Sequence, residues 1–591
     1  MMKKIAYTII VFFAMVLTSC QEYLDAPTQS TMDESLIFSN VELAKGAIDG
    51  IKEPMGQTNS YRGRFLTHYG SNTDIEWNNS TSVNARSDLS RYVNSPTNTD
   101  MNRDNVYWAM LYRGIERANI CIRGLRTYGN PEPGTEMGQL LGEAITLRSI
   151  YYADLLKSHG DIVARFEPIT SETIYLPKSN RDVIYKQVIA DLEEAATLVA
   201  WPGETAFTAT TEMVNKAFVK GLRARLCLAA AGYAQRGNSI SRSTDPELSV
   251  STLYPIALQE CKDVITSGKA SLEPSFETVW RKNCEEVITA GGESLWEVPF
   301  AEGRGRHLYT YGVRHQSKDQ YTEQPRGGTY GPLPHVFYDF DAKDTRRDVT
   351  CVPYSWSNSN PAQQEIMGID TWYFGKWRYE WMNRIVTSTN DDGLNKIYMR
   401  YAEILLMAAE IENELNGPSA AAPYLTQLRQ RAFDPADWPS KVNDYVAAAS
   451  ASKETMFDAI VDEHGFELCG EMERKQALIR WNLLKAKMDE AMDKMDNLRN
   501  QTGEYADVPS VIYYSYLSDG ETLDMYGIER GETDNKLEDY DYAENWATPS
   551  RLEDDKINSL YTENPDQNQY WPIWQVFIDA SNDMLNNDPV E

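Results

Sequence analysis

The chain lacks most of the signatures by which a sequence announces chemistry. Its 591 residues contain no Gly-x-Ser-x-Gly elbow, no His-Glu-x-x-His helix and no phosphate-binding glycine loop, so nucleophilic, zinc-dependent and nucleotide-dependent catalysis have no local support. Only six histidines are present, and they are scattered without ligand-like spacing. None of the seven cysteines forms a Cys-x-x-Cys pair, which removes the usual zinc and redox motifs. Positive charge is also scarce: 57 Lys and Arg stand against 87 Asp and Glu, a formal charge of −30. A surface this acidic repels nucleic acid and anionic lipid headgroups, and by itself it predicts a neutral or basic ligand. No cofactor and no metal are expected. The acidic run from Gly531 to Lys556 has no Asp-x-Asp-x-Asp-Gly loop and reads as a solvated surface loop rather than a calcium site.

What is present begins at the N-terminus. Lys3 and Lys4 precede an apolar run from Ile5 to Leu17, which ends at Leu17-Thr18-Ser19-Cys20. The run is shorter than the about 20 apolar residues a spanning helix needs, and polar Gln21, Glu22 and Asp25 follow at once. Residues 1–19 therefore read as a lipoprotein signal peptide, and Cys20 as the lipidated first residue of the mature chain. Each buried methylene of an acyl chain contributes about 0.8 kcal/mol, so two or three chains would anchor the body while leaving it in water. The other cysteines, Cys121, Cys227, Cys261, Cys284, Cys351 and Cys469, read as buried free thiols.

Beyond the anchor, apolar spacing has a helical period. Trp108, Leu111, Tyr112, Ile115 and Ile122 form one stripe; Leu140, Leu141, Ala144, Arg148, Tyr151, Tyr152 and Leu155 form a second that stops at His159-Gly160. A third helix is predicted from Arg181 to about Val199, a fourth capped by Thr210 or Thr211 and running to Ala231, and a fifth from Tyr254 to Thr266. Trp296 to Phe300 reads as a short strand. From Gly303 to about Trp381 the chain is long loop with many aromatics, more irregular chain than a compact domain carries without a function, although Gly375 to Trp381 has a strand-like pattern. Helices return from Tyr398 to Leu415, Ser419 to about Phe433 and Thr455 to Lys487. Three regions follow the signal: a helical 20–270, a loop-rich 271–397 and a helical 398–591. The fold class is mainly α, a tetratricopeptide-like helical platform with an irregular loop-rich face and few short strands.

Several segments together resemble the SusD/RagB family of Bacteroidetes lipoproteins. Cys20 with Glu22-Tyr23-Leu24-Asp25 is similar to the family's mature start, and Ala44, Ala47 and Gly50 to the helix after it. Trp108, Tyr112, Ile115, Ala118 and Asn119 match the next block. Gly142-Glu143-Ala144-Ile145-Thr146-Leu147-Arg148-Ser149-Ile150-Tyr151-Tyr152, closed by Gly160-Asp161-Ile162, is the most specific match. Arg400 to Glu410, Leu428 to Ala432 and the ending from Trp571-Pro572-Ile573 to Asn587-Asp588-Pro589 also fit. The chain departs from the pattern at His464-Gly465, where a basic pair is usual, and at Lys475-Gln476-Ala477, which bears on subfamily and ligand. The resemblance implies a non-catalytic nutrient-binding protein of the outer membrane, facing the cell exterior, with a SusC-type TonB-dependent transporter as partner and an oligo- or polysaccharide as ligand.

A sugar offers an apolar C–H face and a polar rim, which suits flat rings set among amides, carboxylates and arginines. Asn72 to Asn79 is one such cluster; its position resembles the stretch that supplies a stacking tryptophan in SusD-type proteins, so Trp77 is the first candidate, with Asn78 and Arg62 or Arg64 as polar contacts. The second cluster holds Tyr309, Tyr311, Trp356, Trp372 and Tyr373 near Asn358, Asn360 and Asp370. Trp356, flanked by serines and Asn358, ranks first there, then Trp372, Tyr373 and Tyr311. Trp280, Trp296 and Trp481 read as core, and packing is also favoured for Trp377 and Trp381. Glycan capture is the leading reading; peptide capture of the RagB type, a bare helical scaffold and a surface glycosidase are the alternatives, and burial of both clusters would undercut the first.

Overall fold

The computed structural model describes residues 33–62, 65–388 and 392–590; the predicted signal, Cys20 and Arg64 lie outside them. Among the described residues the helices of the body include α1 Val41–Lys52, α2 Tyr107–Tyr128, α3 Glu136–His159, α4 Arg181–Leu198, α5 Lys216–Ala231, α6 Val250–Ser267, α7 Tyr401–Asn416, α8 Pro418–Ala432, α9 Lys453–Leu468, α10 Arg474–Trp481 and α11 Leu484–Asn500. Each packs on the next in space, α2 on α3, α3 on α4, α4 on α5, α5 on α6, α6 on α7 and α7 on both α8 and α9. The result is a stack of antiparallel pairs, mainly α, as the apolar periodicity predicts. Among the described residues no helix is long and apolar enough to cross a membrane.

Local signals explain the boundaries. On α2, Trp108, Leu111, Ile115, Ala118, Ile122 and Leu125 are buried at helical spacing. Helix α3 differs from the one-sided stripe expected of it, because every residue from Met137 to His159 is buried; it is the spine of the stack. Its polar residues are matched internally, as where Arg148 pairs with Asp191 at 2.7 Å and donates to Asn119 at 2.9 Å. Gly160, at φ +71°, ends it. Helix α4 starts where Asn180 accepts from the Asp182 N–H. Helix α5 begins later than Thr210 or Thr211 suggested: Asn215 is its cap, accepting from the Phe218 N–H, a stronger cap type than threonine. Close helix approach depends on missing side chains. A Cβ at Gly114 would lie 2.1 Å from the Tyr151 ring, so α2 and α3 meet there only because residue 114 is glycine.

Short antiparallel strands tie the loop-rich region to the helices. We number them β1 Glu76–Asn78, β2 Ser294–Val298, β3 Tyr330–Pro332, β4 Tyr354–Trp356, β5 Gln364–Ile366, β6 Lys396–Arg400, β7 Val511–Tyr516, β8 Leu523–Tyr526 and β9 Tyr542–Asn545. The pairs are β1 with β3, β2 with β6 and β4 with β5, and β7 lies between β8 and β9. Three expectations are corrected here. Tyr398 belongs to β6, not to the helix that starts at Tyr401. Trp377 and Trp381 are not in a strand; Tyr379–Trp381 is a single helical turn. The acidic run is not all loop, since β9 inside it pairs with β7. Cys121, Cys227, Cys261, Cys284, Cys351 and Cys469 are free and buried.

A buried ionic lattice joins these layers. Glu467 of α9 accepts from Arg400 at the end of β6, from Arg431 of α8 and from Arg346 at 2.9 Å. Glu463 bonds Arg346 at 2.6 Å and Arg429 at 2.9 Å. Glu293 bonds Arg400 at 2.7 Å and Arg431 at 3.0 Å, and Glu471 bonds Arg400 and Lys376, each at 2.7 Å. Burial alone would push the Glu467 carboxyl up, yet Arg431, Arg400 and Arg346 hold it well below the usual carboxylate range. Removing that one carboxylate leaves three buried guanidiniums short of charge, so Glu467→Ala is expected to cost about 3–5 kcal/mol in chemical denaturation; an unchanged midpoint would show the lattice to be redundant.

Candidate functional site

The two aromatic clusters nominated by the sequence do come together, but as core. Trp77 faces Gly331 across the β1–β3 pair, and its ring is fully enclosed, with the Lys556 ammonium 4.6 Å from the ring centroid. A Cβ at Gly331 would sit 1.9 Å from the Trp372 carbonyl oxygen, so the second cluster lies directly against the first. Asn79 completes the junction, donating to the carbonyls of Gly328 at 3.2 Å and Trp372 at 3.0 Å. Trp372 stacks on Phe337, with centroids 4.7 Å apart, and its indole N–H donates to Ile369 O at 2.8 Å. Tyr311 lies between Tyr330 and Phe374, 5.4 and 5.7 Å away. The Tyr373 ring packs against Gly328, and Trp356 against His315 and Tyr321.

The expectation that Trp77, Trp356, Trp372, Tyr373 and Tyr311 stand open to a ligand is therefore corrected: all five rings are buried. The polar residues that suggested exposure serve the backbone instead. Asn78 is buried, accepting from the Ser80 N–H at 2.9 Å, while Asn72 accepts from the Asn78 N–H and donates to the carbonyls of Ser559 and Leu560. Trp356 is enclosed with the rest of β4, whose three residues are all buried, while Asn358 and Ser359 beyond the strand are exposed. Trp280 and Trp296 are core as expected, Trp377 is buried, and Trp481 and Trp381 are half-buried.

The loop region leaves several rings half-buried, Tyr309 and Trp381 among them. Tyr309 is half-buried on the short helix His307–Tyr311, with the guanidinium carbons of Arg306 and Arg326 at 5.6 and 5.4 Å from its centroid. Asp392 holds the start of that helix, accepting from the Tyr309 and Leu394 N–H groups at 3.5 and 3.3 Å. Burial pushes the Asp392 carboxyl up to about 7, against those N–H groups and the charge of Arg384. Arg62 lies at the same place, only 5% exposed, and donates to Thr58 Oγ1 at 2.9 Å. Burial first, and then the like charges of Arg306 and Arg304, press the Arg62 guanidinium below its ordinary value, with Asp392 opposing. A second tyrosine surface is on β7 and β9, where Tyr514 and Tyr542 pair in register and stack at 5.1 Å, with Tyr516 6.3 Å from Tyr542. Tyr542 is half exposed. The sequence reading passed over this surface, although the tyrosines two apart in Tyr514-Ser515-Tyr516 are the period-2 signal of a strand face. Among the described residues no group of three or more His, Cys, Asp or Glu could hold a metal ion.

Residues 292–589 match the model of the SusD family, and residues 22–222 match a model described as starch-binding associating with outer membrane. The chain belongs to the SusD family. Among its relatives, SusD-like protein P25 of Formosa agariphila is 24% identical over 523 residues, which are 81% of this chain and 90% of that protein. SusD-like protein P2 of the same organism is 26% identical over 458 residues, 73% of this chain and 82% of its own. A SusD homolog from Bacteroides thetaiotaomicron superposes with a TM-score of 0.73 at 18% identity, covering 94% of this chain and 98% of that one. Surface glycan-binding protein A from the same species, solved with laminarihexaose, superposes at 0.60 with 17% identity over 93% and 99% of the two chains. At such identities the superpositions establish the fold. In this SusD family member the ring-bearing segment Asn72–Asn79 has become part of the junction between helical body and loops.

That junction contains a titrating carboxyl. Glu76 of β1 is fully buried; burial pushes it up to about 8, against the Gly470 N–H that it accepts at 2.7 Å and the charge of Lys376. In the unfolded chain this group ionises near its ordinary value of 4.5, while in the folded protein it keeps its proton to about 8. The folded state thus binds more protons in that window, and stability falls as pH rises through it. Glu76→Gln is expected to be more stable than wild type at about pH 7.5, by an amount on the order of a few kcal/mol, and equal to it at about pH 4. Urea midpoints at the two pH values check this; a variant less stable than wild type at the higher pH would contradict it.

Proposed function

We propose that the chain is a surface-exposed, non-catalytic lipoprotein of the outer membrane, anchored through Cys20, that binds an oligo- or polysaccharide and delivers it to a SusC-type TonB-dependent transporter. Membership of the SusD family supports this reading, as does the match to a family described as starch-binding associating with outer membrane. The observation that carries the binding step is Tyr309: a half-buried ring with guanidinium donors beside it joins a stacking surface to hydrogen-bond donors, the pairing that a sugar's apolar face and hydroxyl rim require. Tyr309 replaces the buried tryptophans as the ligand-facing ring. A stacked ring contributes about 1–1.5 kcal/mol beyond its burial, so loss of it is expected to weaken binding about tenfold.

Affinity electrophoresis of the mature domain against a polysaccharide panel, with a peptide digest as a further arm, compares wild type with Tyr309→Ala and Tyr542→Ala. The expected result is retention of a polysaccharide, diminished in Tyr309→Ala and intact in Tyr542→Ala. Retention reduced only in Tyr542→Ala would move the site to the β7–β9 surface; binding confined to peptides, or release of shortened sugars, would overturn the proposal. For the anchor, Cys20→Ser is expected to abolish palmitate incorporation and release the protein from the membrane fraction; a variant that stays lipidated would refute that assignment.

A further inference from the structure

A cleft in the helical body is lined by charges that neutralise one another. It has a volume of about 310 Å³ and lies between α9, α10, α11 and the short helix Pro334–Asp339, with Asp74 and Ile75 entering just ahead of β1. None of the residues lining it belongs to the stretch 303–328 that carries Tyr309.

Its charged residues meet in pairs. Arg474 donates to both oxygens of Asp74, at 2.9 and 2.6 Å, and both side chains are buried. Asp339 accepts from Lys494 at 3.0 Å and bonds Nδ1 of His335 at 2.9 Å. Lys487 donates to Glu490 at 2.8 Å, and Lys494 approaches the same carboxylate at 3.5 Å. An incoming ion would have to separate one of these pairs to find a counter-charge, leaving a charged group unmatched. A hydroxyl would not. An ammonium has three donors and a carboxylate about four acceptor positions, so Lys487, Lys494 and Glu490 keep sites to spare after pairing, and one hydroxyl accepts from the first kind while donating to the second. Two further groups on the lining are open to such a partner: Nε2 of His335 has no hydrogen bond, and among the described residues the carboxylate of Asp462, exposed on α9, has neither hydrogen bond nor ion pair.

Between the charges the lining is apolar. Ile75, Val336 and Ala491 contribute to it, with the half-buried ring of Phe466, which packs on Phe340 at 4.6 Å between centroids. Apolar surface and a ring beside paired donors and acceptors match a sugar's C–H face and hydroxyl rim. Sites for small ligands have volumes of about 300–1,000 Å³. This one is at the lower end, which gives room for one or two sugar rings and not for a polymer passing through.

We propose that the cleft is a second ligand site, which takes a neutral mono- or disaccharide through hydroxyl bonds to Lys487, Lys494, Glu490 and Asp462, with Phe466 against the apolar face of the sugar. It is additional to the capture surface at Tyr309 and does not depend on it. Because Asp74 and Ile75 lead directly into β1, the site borders the junction of body and loops.

Isothermal titration of the mature protein with D-glucose, D-galactose, D-mannose, D-xylose, maltose and cellobiose, each to about 20 mM, tests this, with glycine, glutamate and lysine as charged controls. At least one sugar is expected to bind, and none of the amino acids. Binding should be unchanged on raising salt from about 0.05 to 0.5 M, since no net charge is recognised. Asp462→Ala, at an exposed residue, and Lys487→Met should each weaken it about tenfold, the loss of one charge-assisted hydrogen bond. Thermal midpoints are recorded alongside, so that Asp462→Ala decides the matter if Lys487→Met is unstable. Sugar binding equal to wild type in either folded variant overturns the proposal, and so does binding that falls as salt rises. Binding abolished by Tyr309→Ala would place the sugar at that ring and overturns it too. Binding of an amino acid in place of the sugars, or of nothing in the panel, has the same consequence. Polysaccharide retention is measured separately, so either site can fail without the other.

Discussion

Charge pairing inside the molecule, rather than apolar burial alone, holds the loops to the helices. Glu467, Glu463, Glu293 and Glu471 bind Arg346, Arg400, Arg429, Arg431 and Lys376, and these residues come from separate layers: α9, α8, the end of β6 and the loop region. Apolar contacts are tolerant of sliding, but a guanidinium fork engaged by two carboxylates has one register. The lattice therefore sets where the irregular region sits on a body that could otherwise accept it in several positions. Arg346 and Lys376 are its two handles in that region, one on either side of β4 and β5.

Much of the helical body was legible in the sequence because a single rule governs it. Apolar residues at helical spacing give α2, α4, α6 and α7 to within a few residues, and the errors fall where a stronger local signal competes, as when Asn215 outcompetes Thr210 and Thr211 as a cap. The ligand face was far less legible. Polar neighbours suggest exposure, but around Trp77 the asparagines saturate turns and bridge to Ser559 and Leu560, residues more than 480 positions away, and no local pattern encodes such a partner. Trp356 shows the same difficulty in a strand, where serines on either side say nothing about which way the intervening ring points.

The six enclosed thiols have a bearing on how such a protein can be made. Burial pushes the sulfhydryls of Cys121, Cys227 and Cys284 up to about 12 and the other three upward as well, so none of them presents a thiolate to an oxidant or to a neighbour. The chain can accordingly mature without any disulfide-forming enzyme, and it has no crosslink to lose when its surroundings turn from reducing to oxidising. Export across one or more compartments of differing redox poise would leave its architecture indifferent to the journey.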